Sequence, residues 1–132
     1  MKVIPAIDIK GGKVVRLLQG DYAKVTVYSD SPLDIAKKWE ACGAGIIHIV
    51  DLDGALEGKL KNIETVRQIA AEVGADIELG GGIRDEAAIE DVLAAGVKKV
   101  VLGTSALEED FVKRMGQRFG KKIVVGIDAK DG

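Results

Sequence analysis

Cysteine is almost missing from this chain: Cys42 is the single copy in 132 residues. A lone cysteine cannot close an intrachain disulfide and leaves no cysteine cluster to hold a metal. Aromatic residues make up only 4% and are not interleaved with basic ones. The formal charge is −2, from 19 basic and 21 acidic residues interspersed along the chain. That balance gives no electrostatic footprint for nucleic acid. No apolar run approaches the roughly 20 residues of a membrane span. Met1-Lys2 leads straight into an apolar strand, with no signal-peptide h-region. The expectation is a cytoplasmic protein with neither a membrane nor a nucleic acid as partner. One domain, residues 1–132, is the natural count for this length. A chain of this size buries about two thirds of its unfolded surface, enough for a core.

What is present is a repeated unit. Ile7-Asp8-Ile9-Lys10-Gly11-Gly12 returns near the C-terminus as Ile127-Asp128-Ala129-Lys130-Asp131-Gly132, with four of six positions matching. Each copy follows an apolar run, so an acid at a strand end precedes a Lys/Gly turn twice. Such a self-match suggests duplication of a unit about that long.

Between the copies the chain alternates strands with amphipathic helices. The first strand spans about Val3 to Asp8, and Lys13 to Leu18 reads as a hairpin arm. Gln19 to Asp30 has no clear period and reads as a loop. Ser31-Pro32-Leu33-Asp34 combines a capping serine, proline at the first helical position and an acid three residues after the cap. Ile35, Trp39 and Cys42 then form a stripe expected in the core. Strands follow at Ile46–Asp51, Asp76–Leu79, Lys98–Leu102 and Lys122–Ile127. The helices between them are expected to be capped by Asn62, Asp85 and Ser105. Parallel strands rich in Val, Ile and Leu require helical cover. The fold class is α/β, and two architectures fit. One is an open five-stranded doubly wound sheet. The other is part of a (β/α)₈ TIM barrel, which needs roughly 250 residues when whole. The repeat favours the second, present as a half-barrel of about five parallel strands and four helices.

In such folds chemistry gathers just past the C-terminal ends of the strands. Those positions hold Asp8, Asp51, Gly80-Gly81-Gly82, Gly103-Thr104 and Asp128. First and fifth strands face each other across a barrel mouth, so Asp8 and Asp128 form the expected catalytic pair, one giving and one taking a proton. The competing assignment is that each acid merely caps the next turn. Gly81, Gly82, Gly103 and Thr104 suit a phosphate, because glycine lets backbone N–H groups approach an anion and a following helix N-terminus adds its dipole. Tight-turn geometry is the plainer alternative. Asp51 is a candidate either to bind substrate or to orient a neighbour, and Arg16 on the hairpin arm is a candidate for substrate contact. If Asp51 faces the mouth, His48, at odd separation, faces the helices. Arg84 suits either a phosphate or a surface ion pair.

Pro5-Ala6-Ile7-Asp8, Gly12 to Arg16 and Gln19-Gly20-Asp21 together resemble the phosphoribosylformimino-5-aminoimidazole carboxamide ribotide isomerases of histidine biosynthesis. His48 to Ala55, Gly80 to Arg84 and Val125 to Gly132 carry the same resemblance, which thus covers the whole chain. The cyclase subunit of imidazole glycerol phosphate synthase shares the glycine loop and both acids. It usually carries cysteine near the position of Ala6, so the isomerases fit better. The resemblance implies a (β/α)₈ barrel of two similar halves and a cofactor-free Amadori rearrangement of an aminoaldose to an aminoketose. It makes Asp8 the base and Asp128 the general acid, without a metal. It implies a bis-phosphorylated ribonucleotide substrate, with one phosphate loop per half.

The sequence lacks the family's strands six to eight. A non-catalytic, phosphate-binding half-barrel that self-assembles is therefore the second expectation, and a homo-oligomer follows from its unpaired apolar strand edges. A receiver-like open sheet, suggested by Asp8, Thr104 and Lys130, wants an acid where Gly80-Gly81-Gly82 stands.

Overall fold

The computed structural model describes the backbone of residues 4–18 and 21–126. Within β1 (Ala6–Lys10), Ile7 and Ile9 are 1% and 0% exposed, whereas Ala6, Asp8 and Lys10 between them are not buried. The same alternation buries Ile47 and Ile49 of β4 (Ile46–Asp51), Ile77 and Leu79 of β5 (Asp76–Gly80), and Val100 and Leu102 of β6 (Lys99–Leu102). Side chains on a strand alternate between faces, so these residues line one face of a common sheet. With β7 (Ile123–Val125), the strands β1, β4, β5, β6 and β7 run parallel and lie side by side in chain order.

Helices α1 (Pro32–Ala41), α3 (Ile63–Glu72), α4 (Glu86–Ala94) and α5 (Glu109–Phe119) connect successive strands. Crossovers between parallel strands keep one hand. All four helices therefore reach the same face, where Ala36, Val66, Ile69, Ile89, Val92, Phe111 and Met115 join the core cluster with the strand isoleucines. The other face carries Ala6, Asp8, His48, Val50, Glu78 and Val101, none of them buried. The result is the expected α/β half-barrel with five parallel strands, helices outside and the inner face open.

The hairpin arm is larger than expected. β2 (Lys13–Leu18) pairs antiparallel with β1 only at Asp8, Ile9 and Lys10. Residues 21–29, expected in a loop, form β3 (Asp21–Ser29), antiparallel to β2. Register shifts at Val14/Val15 and at Leu17/Leu18 break the pairing. A bulge of this kind inserts a residue and destroys the two-residue period that marks a strand.

Two helix starts are as expected. Ser31 Oγ accepts from the Asp34 N–H at 3.3 Å, and an Asp85 carboxylate oxygen accepts from the Ala88 N–H at 2.8 Å. Other details differ. Cys42 is exposed rather than in the core, because α1 buries Pro32 and Ala36 and its chain ends at that point. Trp39 and Ile35 do pack against the core. A short helix, α2 (Leu52–Glu57), was not expected. Ser105 does not cap a helix: it lies in a 3-10 turn, Thr104–Leu107, and donates its hydroxyl to Ile83 O at 3.0 Å.

Candidate functional site

The open face sets the site. Asp8 is the middle residue of β1, with Val15 as its β2 partner and Val50 as its β4 partner. His48 lies one layer below, in register with Ala6 on one side and Glu78 on the other. Its Nδ1 is 3.6 Å from a Glu78 carboxylate oxygen. Partial burial pushes the Asp8 carboxyl above the usual carboxylate range, and the nearby His48 charge opposes that rise. Desolvation penalises the ionised form, while a neighbouring cation favours it. A carboxylate tuned upward in this way is a stronger base than a solvated one.

This arrangement inverts one expectation. Asp51 does not face the mouth; it shares the helix-covered face with Ile47 and Ile49 and is 1% exposed. Its carboxylate accepts from the N–H groups of Gly54 at 2.9 Å, Lys61 at 2.8 Å and Asn62 at 2.9 Å, and from Asn62 Nδ2 at 2.7 Å. Four donors occupy it, so Asp51 is the cap of α2 and an anchor for the start of α3. His48, expected against the helices, is the residue that looks into the mouth. Each face of β4 carries two aliphatic residues and one polar residue, so parity alone did not say which face was inner.

Asp51 belongs to a network that sequence reasoning missed. Asn62, expected to cap α3, makes no such bond. Its amide instead donates to Asp51 and, at 2.9 Å, to Asp53. Asp53 accepts from the Gly11 N–H at 2.6 Å, and Asn62 Oδ1 accepts from the Gly12 N–H at 3.2 Å. The turn that follows the catalytic candidate is thereby tied to β4, α2 and α3. Burial works against the Asp53 charge. The Asn62 amide, the Gly11 N–H and the charges of Lys10 and Lys61 outweigh it and hold the carboxyl below its usual range. The paired Asp51-x-Asp53 and Asn62 were visible signals, since short polar side chains recur where backbone groups need partners.

A cavity of about 780 Å³ opens over the C-terminal ends of β4, β5 and β6. This is within the range of small-molecule sites. Its lining includes His48, Gly80, Gly81, Gly82, Arg84 and Gly103. Both glycine loops expected to bind phosphate therefore meet in one place. Gly81 and Gly82 also have a packing reason to be glycine. Their φ angles are +103° and +81°, and a Cβ on Gly82 would sit 2.5 Å from the Gly54 carbonyl oxygen. Gly103 has no such constraint: nothing lies within 4 Å of an added Cβ. The Arg84 guanidinium rests against Gly58 and has no carboxylate partner among the described residues. Thr104 starts the 3-10 turn beside Gly103; its side chain lies outside the described residues. Arg16 is exposed, and alternation along β2 puts it on the face opposite Val15 and hence Asp8. It is not brought to the cavity. Asp128 and the rest of the second repeat copy, residues 127–132, lie outside the described residues.

A half-barrel with an inward acid on its first strand and two glycine loops at its mouth places the chain in the (β/α)₈ barrel class. Residues 2–132 match the family model described as "Histidine biosynthesis protein", and the chain belongs to that family. A relative from Chloroflexus aurantiacus is 50% identical over 133 aligned positions, which take in 100% of this chain and 55% of the relative. One from Thermodesulfovibrio yellowstonii is 52% identical, again over 100% of this chain and 54% of its own length. One from a Sulfurihydrogenibium species is 53% identical over 98% of this chain and 55% of its own. All three are named 1-(5-phosphoribosyl)-5-((5-phosphoribosylamino)methylideneamino) imidazole-4-carboxamide isomerase. The chain spans about half the length of these curated relatives. No helix among the described residues is long and apolar enough to cross a membrane.

Proposed function

We propose that this chain supplies the first half of an aldose–ketose isomerase barrel, acting on a ribonucleotide that carries two phosphoribosyl groups. The observation behind this reading is Asp8: an inward carboxyl on β1, raised by burial, with an imidazole beside it and a glycine-lined cavity on the adjoining strands. The reaction is an Amadori rearrangement. A proton given to the ribose ring oxygen lets the C1–O bond break and leaves an imine. Removal of the C2 proton then gives an enaminol, which settles as the aminoketose. No net oxidation occurs, and no cofactor is needed. Asp8 takes the C2 proton. Asp128, its counterpart in the repeat, gives the ring-oxygen proton. Gly81, Gly82, Gly103 and Thr104 receive one phosphate of the substrate, and Arg84 adds charge at the same mouth.

The test is a barrel completed with the remaining residues of the Chloroflexus aurantiacus relative. It should isomerise the substrate. Asp8→Asn and Asp128→Asn should each lower kcat about 10²–10⁴-fold, as loss of a proton-transfer partner does, with KM much less changed. Near-normal turnover in either variant removes that residue from the pair. A completed barrel that folds but never turns over favours the non-catalytic phosphate-binding reading.

The 132-residue polypeptide made on its own should self-associate. Among the described residues, β1 has no strand on its outer side before Asp8, and β7 has none beyond β6. Ile4 and Val125 are 49% and 41% exposed beside those edges. Unpaired apolar edges recruit other strands. Sedimentation equilibrium across a wide concentration range decides it: a single 13.9 kDa species throughout ends the proposal.

A further inference from the structure

We propose that Glu78 is a positioning residue: it holds His48 by Nδ1 on the inner face, so that the imidazole stays beside Asp8 and acts on it as one unit with Glu78. The consequence for catalysis rests on the isomerase reading above, but the test below does not.

Three neighbouring strands bring the unit together. Register sets Ala6, His48 and Glu78 in one row across β1, β4 and β5, and Asp8 follows two residues beyond Ala6 on the same face. The Glu78 side chain is 19% exposed and that of His48 29%, so neither is a freely solvated surface group. Nδ1 is the ring nitrogen turned to Glu78, at 3.6 Å, a charge contact rather than a hydrogen bond. That leaves Nε2 as the nitrogen for other work, because the carboxylate charge nearest Nδ1 favours a proton on that nitrogen. The His48 charge acts on Asp8 against the effect of burial.

Other charged groups around the unit can be named. Lys10 lies two residues beyond Asp8 on β1. Lys99 on β6 is in register with Glu78, yet Glu78 pairs with His48 and not with Lys99 among the described residues. Arg84 lines the same cavity as His48. On β2 the partner facing Asp8 is Val15, which carries no charge. Glu78 contacts His48, and its route to Asp8 runs through that imidazole.

That indirect route has a sign. Removing a negative charge that acts directly on a carboxyl lowers its pKa; removing the anchor of a cation that favours ionisation raises it. His48 is the single histidine of the chain, so nitrogen NMR reads its tautomer without assignment ambiguity. In the unaltered chain, neutral His48 should carry its proton on Nδ1. Carboxyl-carbon NMR should show the Asp8 midpoint moving up in Glu78→Gln and in His48→Gln, and no further in the double variant than in His48→Gln alone. An Nε2–H tautomer in the unaltered chain overturns the proposal even if Glu78→Gln does not fold. So does an Asp8 midpoint that stays put or falls in a folded Glu78→Gln. In the completed barrel, Glu78→Gln should shift the acid limb of the kcat profile with KM little changed, and Glu78→Asp should restore it in part. A completed barrel without turnover would count against the isomerase reading and leave the NMR result standing.

Discussion

Asp51 and Asn62 grip each other twice: the Asn62 backbone N–H meets Oδ2 at 2.9 Å, and Nδ2 meets Oδ1 at 2.7 Å. Both residues are buried. Asp51→Ala leaves the Gly54, Lys61 and Asn62 donors without their acceptor, and each buried donor so orphaned costs about 1–3 kcal/mol. The expected loss is roughly 3 kcal/mol or more, read from the urea midpoint. Asp51→Asn should also destabilise, because its NH₂ faces donors. A substrate-contact role alone would instead leave stability intact in both variants, and that outcome would rule out Asp51 as the structural cap.

The two glycine loops should respond differently to alanine. Gly81 combines φ of +103° with a backbone neighbour, Asp51, closer than any Cβ tolerates. Gly81→Ala should lose on the order of 2–4 kcal/mol, from left-handed strain and overpacking. Gly103→Ala meets open space and should leave the urea midpoint almost unchanged. It should nevertheless weaken inorganic phosphate binding, followed by NMR shifts on the folded chain. Unaltered phosphate shifts in Gly103→Ala would take that loop out of the anion site.

How much of this was legible beforehand depends on which residues carried a local signal. Ser31, Asp85 and the strand isoleucines spoke for themselves, because capping and burial follow from neighbours in the chain. β3 did not: its bulged pairing with β2 scrambles the period, although Tyr22, Val25, Val27 and Tyr28 are strand formers. The acid Asp8 was legible from the repeat. The direction of Asp51 was not legible, since each face of β4 carries two aliphatic residues and one polar one and only the helix cover decides which is inner. His48, set aside as structural, proved to line the cavity for the same reason.

The turn after β1 should be acid-sensitive through Asp53. Its carboxyl is held below the usual range by the Asn62 amide, the Gly11 N–H and two lysines, against the opposing effect of burial. A group depressed on folding contributes stability above its unfolded value, and that contribution is lost as pH falls through the folded value. Urea midpoints measured from about pH 6 downward, through the carboxylate range near about 4, should fall for the unaltered chain. Asp53→Asn should be less stable near neutral pH and should flatten that acid limb. Parallel profiles for the two proteins would separate Asp53 from the turn.

Asp8 should show the opposite dependence, because burial raises its carboxyl while His48 only partly offsets the rise. A raised group favours the folded state while protonated. Its contribution is complete below the unfolded value and is lost as pH rises through the folded one. Near neutral pH the ionised Asp8 therefore weighs against folding. Asp8→Asn keeps the shape and removes the charge, so it should raise the urea midpoint at neutral pH, and the gain should vanish as pH drops below the ordinary carboxylate range near about 4. The same substitution should lower turnover in a completed barrel. Gain of stability with loss of activity is the mark of a group kept ionised for chemistry. A variant that loses both would make Asp8 a structural residue, and one that is less stable only at neutral pH would mean that a cation, not desolvation, governs its charge.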